Sequence, residues 1–262
     1  EGYVCVGAPS VCRLEPLGGL LSIGAGTLPK AIASGDVDDD GDLDLVVGGD
    51  TGLRLLRNLG GDDGIESAVD LDASIGVIDV ALADFNRDGS LDVAVLTTDL
   101  RVGPLGGALT PTPLDAPGRR LALLDLEGDG DSDVVVGTDA GLVVAVNDNG
   151  ALVVDGSPLT VCVGGAVVAA ADVDNDGDDD VVCSDTDAFD LIFVRNNDGS
   201  LVADDDDPIE AGAVVDLAVG DIDNDGRVDL VAANDSGVRL FEGNGDGTFG
   251  FLQVLTATPA SA

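Results

Sequence analysis

Five stretches of nine residues share one pattern: aspartate at positions 1, 5 and 9, an oxygen-bearing side chain at position 3, and glycine at position 6. The first holds Asp36, Asp38, Asp40 and Asp44 with Asp42 at position 7, and the second Asp84, Asn86, Asp88 and Asp92 with Ser90. The third holds Asp125, Glu127, Asp129 and Asp133 with Asp131, and the fourth Asp172, Asp174, Asp176 and Asp180 with Asp178. The last, Asp221-Ile-Asp-Asn-Asp-Gly-Arg-Val-Asp229, adds Asp223, Asp225 and Arg227. A hard divalent cation such as calcium takes six to eight oxygens. A tight loop offering side chains at positions 1, 3, 5 and 9 and a backbone carbonyl at position 7 supplies most of them. Glycine at position 6 allows the sharp turn, because it reaches positive φ without a Cβ clash. A single copy could be an acidic surface turn; five copies point to about five calcium ions. Glu127 is one methylene longer than the residues at its position elsewhere, which sets the third loop apart.

The elements that hold these loops follow from their surroundings. Successive copies start 48, 41, 47 and 49 residues apart, a period suited to a propeller blade. Each loop lies between two short apolar runs, such as 214–220 and 228–232, so the local order is strand, loop, strand. The expected fold is all-β: one β-propeller domain over 1–262, built of four-stranded antiparallel blades. Full blades are expected at 29–73, 74–115, 116–163, 164–212 and 213–258, with a tail at 259–262. Asn149-Gly150 and Asp198-Gly199 are hairpin signals, and Pro104, Pro111 and Pro113 confine the outer strands of the second blade to an edge. Asp204 to Asp207 reads as a solvated loop tip. Inner strands need small side chains near a narrow axis, which Ala169-Ala170-Ala171 and Ala218-Val219-Gly220 provide. Residues 1–28 carry no loop, but Arg13-Leu-Glu-Pro-Leu-Gly-Gly19 echoes Arg101-Val-Gly-Pro-Leu-Gly-Gly107. They read as a sixth, incomplete blade lacking its inner strand; five blades plus an N-terminal hairpin is the alternative.

With its five loops, the chain resembles the FG-GAP or VCBS repeats of integrin α-subunit propellers and of many secreted microbial proteins. Phe249-Gly250, Gly7-Ala8-Pro9 and the turn Gly243-Asn-Gly-Asp-Gly-Thr-Phe249 are lesser points of likeness. The resemblance covers nearly the whole chain. It implies that each calcium loop joins the two inner strands of a blade.

Composition narrows the function. The 262 residues carry a formal charge of −40, with 45% hydrophobic residues, 3% aromatics and no Trp, so the core is aliphatic. Nineteen carboxylates stand at ligand positions, and five bound calcium ions would reduce the charge to about −30. Such a surface repels nucleic acid and anionic lipid. A single Lys, Lys30, against ten Arg fits a salt-adapted or GC-rich source. No apolar run approaches the length of about 18 residues that spans a bilayer, so no membrane insertion is expected. Residue 1 is Glu, as expected of a processed or trimmed chain. The four cysteines allow three connectivities; Cys5–Cys12 and Cys162–Cys183 are expected, each local to one blade, in a secreted or cell-surface protein.

The absence of His removes Ser-His and Cys-His nucleophilic schemes and most zinc chemistry. The sequence is therefore read as a non-enzymatic, extracellular, calcium-binding adhesion or recognition module with a protein or glycan ligand. The alternative is a structural subunit of a filament or surface layer that self-assembles through the incomplete N-terminal blade. A lectin, or a propeller enzyme using paired carboxylates on a polysaccharide, comes after these; Tyr3 alone offers little for sugar stacking.

Overall fold

The computed structural model of the protein describes residues 3–6, 11–14, 28–60, 64–66, 68–156, 158–164, 167–185, 190–234 and 236–255, with side chains from residue 28 onward except 205–207 and 255. The described elements are all strands, in one two-stranded and five four-stranded antiparallel sheets. A hairpin of β1 (Tyr3–Val6) and β2 (Val11–Leu14) is followed by a first blade of β3 (Pro29–Gly35), β4 (Asp44–Gly49), β5 (Gly52–Leu56) and β6 (Val69–Asp72). The second blade holds β7 (Asp79–Ala83), β8 (Asp92–Leu96), β9 (Leu100–Pro104) and β10 (Thr110–Thr112). The third holds β11 (Gly118–Leu124), β12 (Asp133–Thr138), β13 (Gly141–Asp148) and β14 (Ala151–Val154). The fourth holds β15 (Val168–Ala171), β16 (Asp180–Asp185), β17 (Asp190–Asn196) and β18 (Leu201–Glu210). The fifth holds β19 (Val214–Gly220), β20 (Asp229–Asn234), β21 (Gly237–Gly243) and β22 (Phe249–Leu255).

In every blade the four strands pair in sequence order, as short connections between alternating apolar runs dictate. The first strands β3, β7, β11, β15 and β19 lie innermost, each against the next. The alanines of β15 and the Ala-Val-Gly end of β19 fall there, as expected, although β3, β7 and β11 carry larger side chains such as Ile32, Leu82 and Arg120. Pro111 lies in the outermost strand β10, where a missing N–H costs no ladder bond, and Pro104 closes β9. The N-terminal stretch, expected as a partial blade or as a hairpin added to five blades, contains the two-stranded β1–β2 sheet beside five four-stranded ones; the rest of 1–27 and the tail at 259–262 lie outside the described residues.

Strand alternation builds the core. The residue after each position-9 aspartate faces the preceding blade, and the one after that faces the following blade. Val93 packs against Val46, Leu53 and Leu55 of the first blade, whereas Ala94 packs toward Val134 and Val136 of the third. Val135 and Val181 meet between the third and fourth blades, and Val182 and Leu230 between the fourth and fifth. Each buried Val or Leu contributes about 1.5–3 kcal/mol, and together they form four aliphatic seams. No seam of described residues joins the fifth blade to the first. Leu45 and Val231, at the two registers that would build one, are only half-buried, while Val215, Leu252 and Val254 are exposed on the fifth blade.

Two expectations are corrected. Asp204 to Asp207 lie within β18 and do not form a loop tip; the strand passes a register shift between Leu191 and Phe193 on its partner. β18 is the outermost strand of its sheet, where charge is tolerated and discourages edge pairing. The disulfide Cys162–Cys183, with a Cα–Cα distance of 5.9 Å, joins the connector after β14 to β16 of the next blade, so it is not local to the segment drawn at 116–163. Cys5 and Cys12 stand opposite one another in the β1–β2 register, although their side chains are outside the described set.

Candidate functional site

The five aspartate loops each connect the first and second strands of a blade, and one hydrogen-bond scheme folds them all. The position-1 carboxylate accepts the backbone N–H groups of positions 5 and 6. Asp36 takes Asp40 and Gly41 at 3.1 and 2.9 Å, and Asp221 takes Asp225 and Gly226 at 3.0 and 2.9 Å. Asp84, Asp125 and Asp172 repeat the pattern. The position-5 carboxylate then accepts the N–H of position 7, as Asp40 does from Asp42 at 2.9 Å and Asp129 from Asp131 at 3.0 Å. The position-6 glycines have φ from 85° to 102°, the left-handed region expected for them.

The position-9 aspartates Asp44, Asp92, Asp133, Asp180 and Asp229 are buried, and four of them show the same two bonds. One oxygen accepts the N–H of loop position 2: Val37, Leu126, Val173 and Ile222, at 2.8–3.3 Å. The other accepts an N–H from the end of the third strand or just beyond it: Asn58, Asn147, Asn196 and Gly243, at 2.7–2.9 Å. These residues were assigned from sequence as metal ligands alone; the fold also uses them to lock the loop to its own sheet.

A second lock comes from the next blade. Asn147 Nδ2 donates to Phe85 O and Asn196 Nδ2 to Leu126 O, both at 2.9 Å, and Gly247 N donates to Val173 O at 3.2 Å. Position 2 of each of these loops is thus held by the outer hairpin of the following blade, and its side chain is buried: Phe85 1%, Leu126 5% and Val173 1% exposed. Ile222, at position 2 of the last loop, is 48% exposed and lies with Leu240 and Leu252 on the open face of the fifth blade.

The loops differ in charge geometry. Carboxylate oxygens of Asp36, Asp38 and Asp40, of Asp172, Asp174 and Asp180, and of Asp221, Asp223 and Asp225 converge within 4.8 Å of one another. The second loop places the neutral Asn86 at position 3, where its Oδ1 accepts Asp88 N at 2.8 Å. In the third loop the long Glu127 side chain is exposed overall, yet its carboxyl turns toward Asp133. Desolvation, that hydrogen bond and the Asp133 charge push it up to about 7. Burial, then the charges of Asp129 and Asp133, pushes Asp131 up to about 6, and burial does the same to Asp180. Asp38 is raised by desolvation and by Asp40 and Asp44.

This donor set fits a hard cation. The oxygens are carboxylates already preorganised by backbone N–H groups, in three loops they stand within 4.8 Å of one another, and Asp131 Oδ1 is buried with no hydrogen-bond partner. A bound calcium would neutralise the repulsion between them. Position 4 was not singled out from sequence, yet Asp39, Arg87, Asn175 and Asn224 have φ of 56–62° and Gly128 of 70°. The prevalence of Asp, Asn and Gly there was the available signal. The loop pattern gives Arg227 a backbone carbonyl and assigns no role to an arginine side chain. Arg87 reaches from the second loop to Asp129 O and Oδ1 at 2.9 and 3.0 Å and to Asp131 at 3.5 Å. Arg227 pairs with Asp225 in its own loop.

A family described as FG-GAP-like repeat matches residues 36–95, 125–183, 172–232 and 221–262. Among solved structures, the chain is similar to an Agrocybe aegerita lectin described as specifically recognising non-reducing terminal N-acetylglucosamine. The identity is 22% and the TM-score 0.59, over 85% of this chain and 65% of the lectin chain. It is also similar to BBS1N from a complex with ARL6DN, at 14% identity and a TM-score of 0.59 over 89% and 71% of the two chains. This chain thus spans under two thirds of the lectin chain, and at these identities the likeness concerns the fold. No curated protein matches the chain.

Proposed function

Since the chain belongs to the family of FG-GAP-like repeats, whose matches cover most of its length, we infer that it is a calcium-stabilised binding module that works outside the cell. The observation that carries this reading is the repetition of one closed, carboxylate-lined loop in all five full blades. Three of these loops bring side-chain oxygens within 4.8 Å of one another. Calcium loops of moderate affinity suit an extracellular setting, where the ion is abundant, and the Cys162–Cys183 disulfide suits an oxidising one.

On this reading calcium is structural and the module has no catalytic role. The blades form a rigid platform, and the ligand is an extracellular protein or a glycan; nucleic acid and anionic membranes are disfavoured by the formal charge of −40. The lectin neighbour puts glycans first among the ligands to screen, although the chain has no Trp with which to stack a sugar. The test has two parts. Metal analysis after dialysis against calcium buffer should give about five ions per chain, and a value near zero or one overturns the reading. A protein and glycan screen with and without calcium should then return ligands retained only with the ion.

One observation favours a second reading, a structural subunit of an extracellular assembly. The fifth blade presents Val215, Ile222, Leu252 and Val254 to solvent, where every earlier blade meets a successor. Covered by a blade of another chain, this face would make assembly concentration-dependent. Sedimentation distinguishes the two: one small species at all concentrations supports the binding module, and growth with concentration that Leu252→Asp abolishes supports the subunit.

A further inference from the structure

The residue just before the group donating to the position-9 aspartate, near the end of the third strand, stands beside the candidate calcium loop of its own blade. It is Arg57 in the first blade, Val146 in the third, Arg195 in the fourth and Glu242 in the fifth. One register position therefore carries either sign of charge, or none, against loops that are otherwise alike.

Arg195 is the most committed of these. Its Nη1 lies 3.2 Å from Asp174 Oδ2 and 3.6 Å from Asp180 Oδ2, both assigned as ligands of the fourth loop and both in its converging carboxylate group. Its side chain is only 16% exposed. It is held from the other side as well: Nη2 donates to Gly247 O at 2.9 Å, Nε lies 3.5 Å from Asp204, and the guanidinium sits 5.9 Å from the Phe193 ring centroid. Gly247 has no Cβ to obstruct it, and a side chain there would strike the guanidinium. Arg57 reaches Asp38 only at 3.5 Å and is 45% exposed, so water screens it much more.

We propose that Arg195 is a tethered cation competing with calcium for Asp174 and Asp180, which makes the fourth loop the weakest of the three converging sites; Arg227 also pairs with a carboxylate of the fifth loop, but with Asp225 alone and from a side chain 40% exposed. The inference rests on the calcium reading given above. The competition is physical: guanidinium and calcium both need the same carboxylate oxygens, and a bound ion brings two positive charges beside a third that the fold restrains. Glu242 has the opposite effect at the fifth loop, adding negative charge beside Asp229. Because Arg195 also binds the hairpin of the fifth blade, uptake at the fourth loop draws on the junction between these two blades, whereas uptake at the fifth does not.

The test is a calcium titration by calorimetry on the full chain. Arg195→Gln should tighten one site at least tenfold, and the gain should vanish when Asp174→Asn is added. Glu242→Arg should weaken one site at least tenfold, with the unchanged uptake at the other sites showing that the variant is folded. Unchanged isotherms for both variants overturn the proposal, and so does weaker binding in Arg195→Gln, which is what loss of a purely structural clamp would give. Wild-type protein that takes up no calcium defeats the functional reading and this inference together; wild type that binds while both variants match it defeats this inference alone.

Discussion

Replacing Asn196 with Ala tests whether the blades are held together loop by loop. Asn196 is 1% exposed; its Nδ2 donates to Leu126 O and its Oδ1 accepts from Gly199 N, both at 2.9 Å. Two hydrogen bonds worth about 1 kcal/mol each disappear, and a carbonyl of the third loop is stranded in the seam at a further cost of about 1–3 kcal/mol. The expected loss is therefore about 3–5 kcal/mol. Urea unfolding in excess calcium measures it: with a slope of about 2–3 kcal/mol/M, the midpoint should fall by about 1–2 M. Asn58 is an internal control. It occupies the same register in the first blade and its Oδ1 accepts Gly60 N at 3.2 Å, but among the described residues no loop of a preceding blade receives its amide. Asn58→Ala should cost less than about 1 kcal/mol. If the two variants lose stability equally, the hairpin-to-loop bond is not what joins the blades.

Chelation should lower the melting temperature strongly, since each site at a hundredfold its Kd adds about 2.7 kcal/mol to the folded state; a melting curve indifferent to EGTA would refute the structural role of calcium. Asp225→Ala should remove one ion from metal analysis and lower the melting temperature in calcium, leaving the other loops filled. The calcium-free protein should lose stability as pH rises. Glu127, raised from 4.5 to about 7, and Asp131 and Asp180, raised from 3.8 to about 6, bind more protons folded than unfolded, so their contribution is complete below the ordinary carboxylate range and is lost between about pH 4 and 7. Saturating calcium should flatten that slope, which thermal melts across the range will show. Reducing Cys162–Cys183, which closes a separation of 21 residues, should cost about 3 kcal/mol, and a denatured, non-reduced sample should offer no thiol to a maleimide.

The chain by itself determined the repeat, the blade as a four-stranded meander and the position of each loop between first and second strands. These follow from short-range rules: a hydrophobic period of two, a glycine that must turn, and oxygens spaced for one small cation. The long side chain of Glu127 was likewise legible, and it leaves the convergence that other loops show. What only the tertiary structure decided involves partners from another strand or blade, which no local pattern encodes. That position-9 aspartates are buried clamps requires knowing that Asn147 or Gly243 brings an N–H to them. That Asn196 holds Leu126, 70 residues earlier, depends on how one blade docks on the last. Ile222 and Val173 are equivalent in sequence, and only the packing of a following blade, which among the described residues Val173 has and Ile222 lacks, leaves one exposed and the other buried. Arg195 and Glu242 are unremarked charges along the chain; strand pairing sets both beside acidic loops, where charge acts strongly because distance is short and water is scarce.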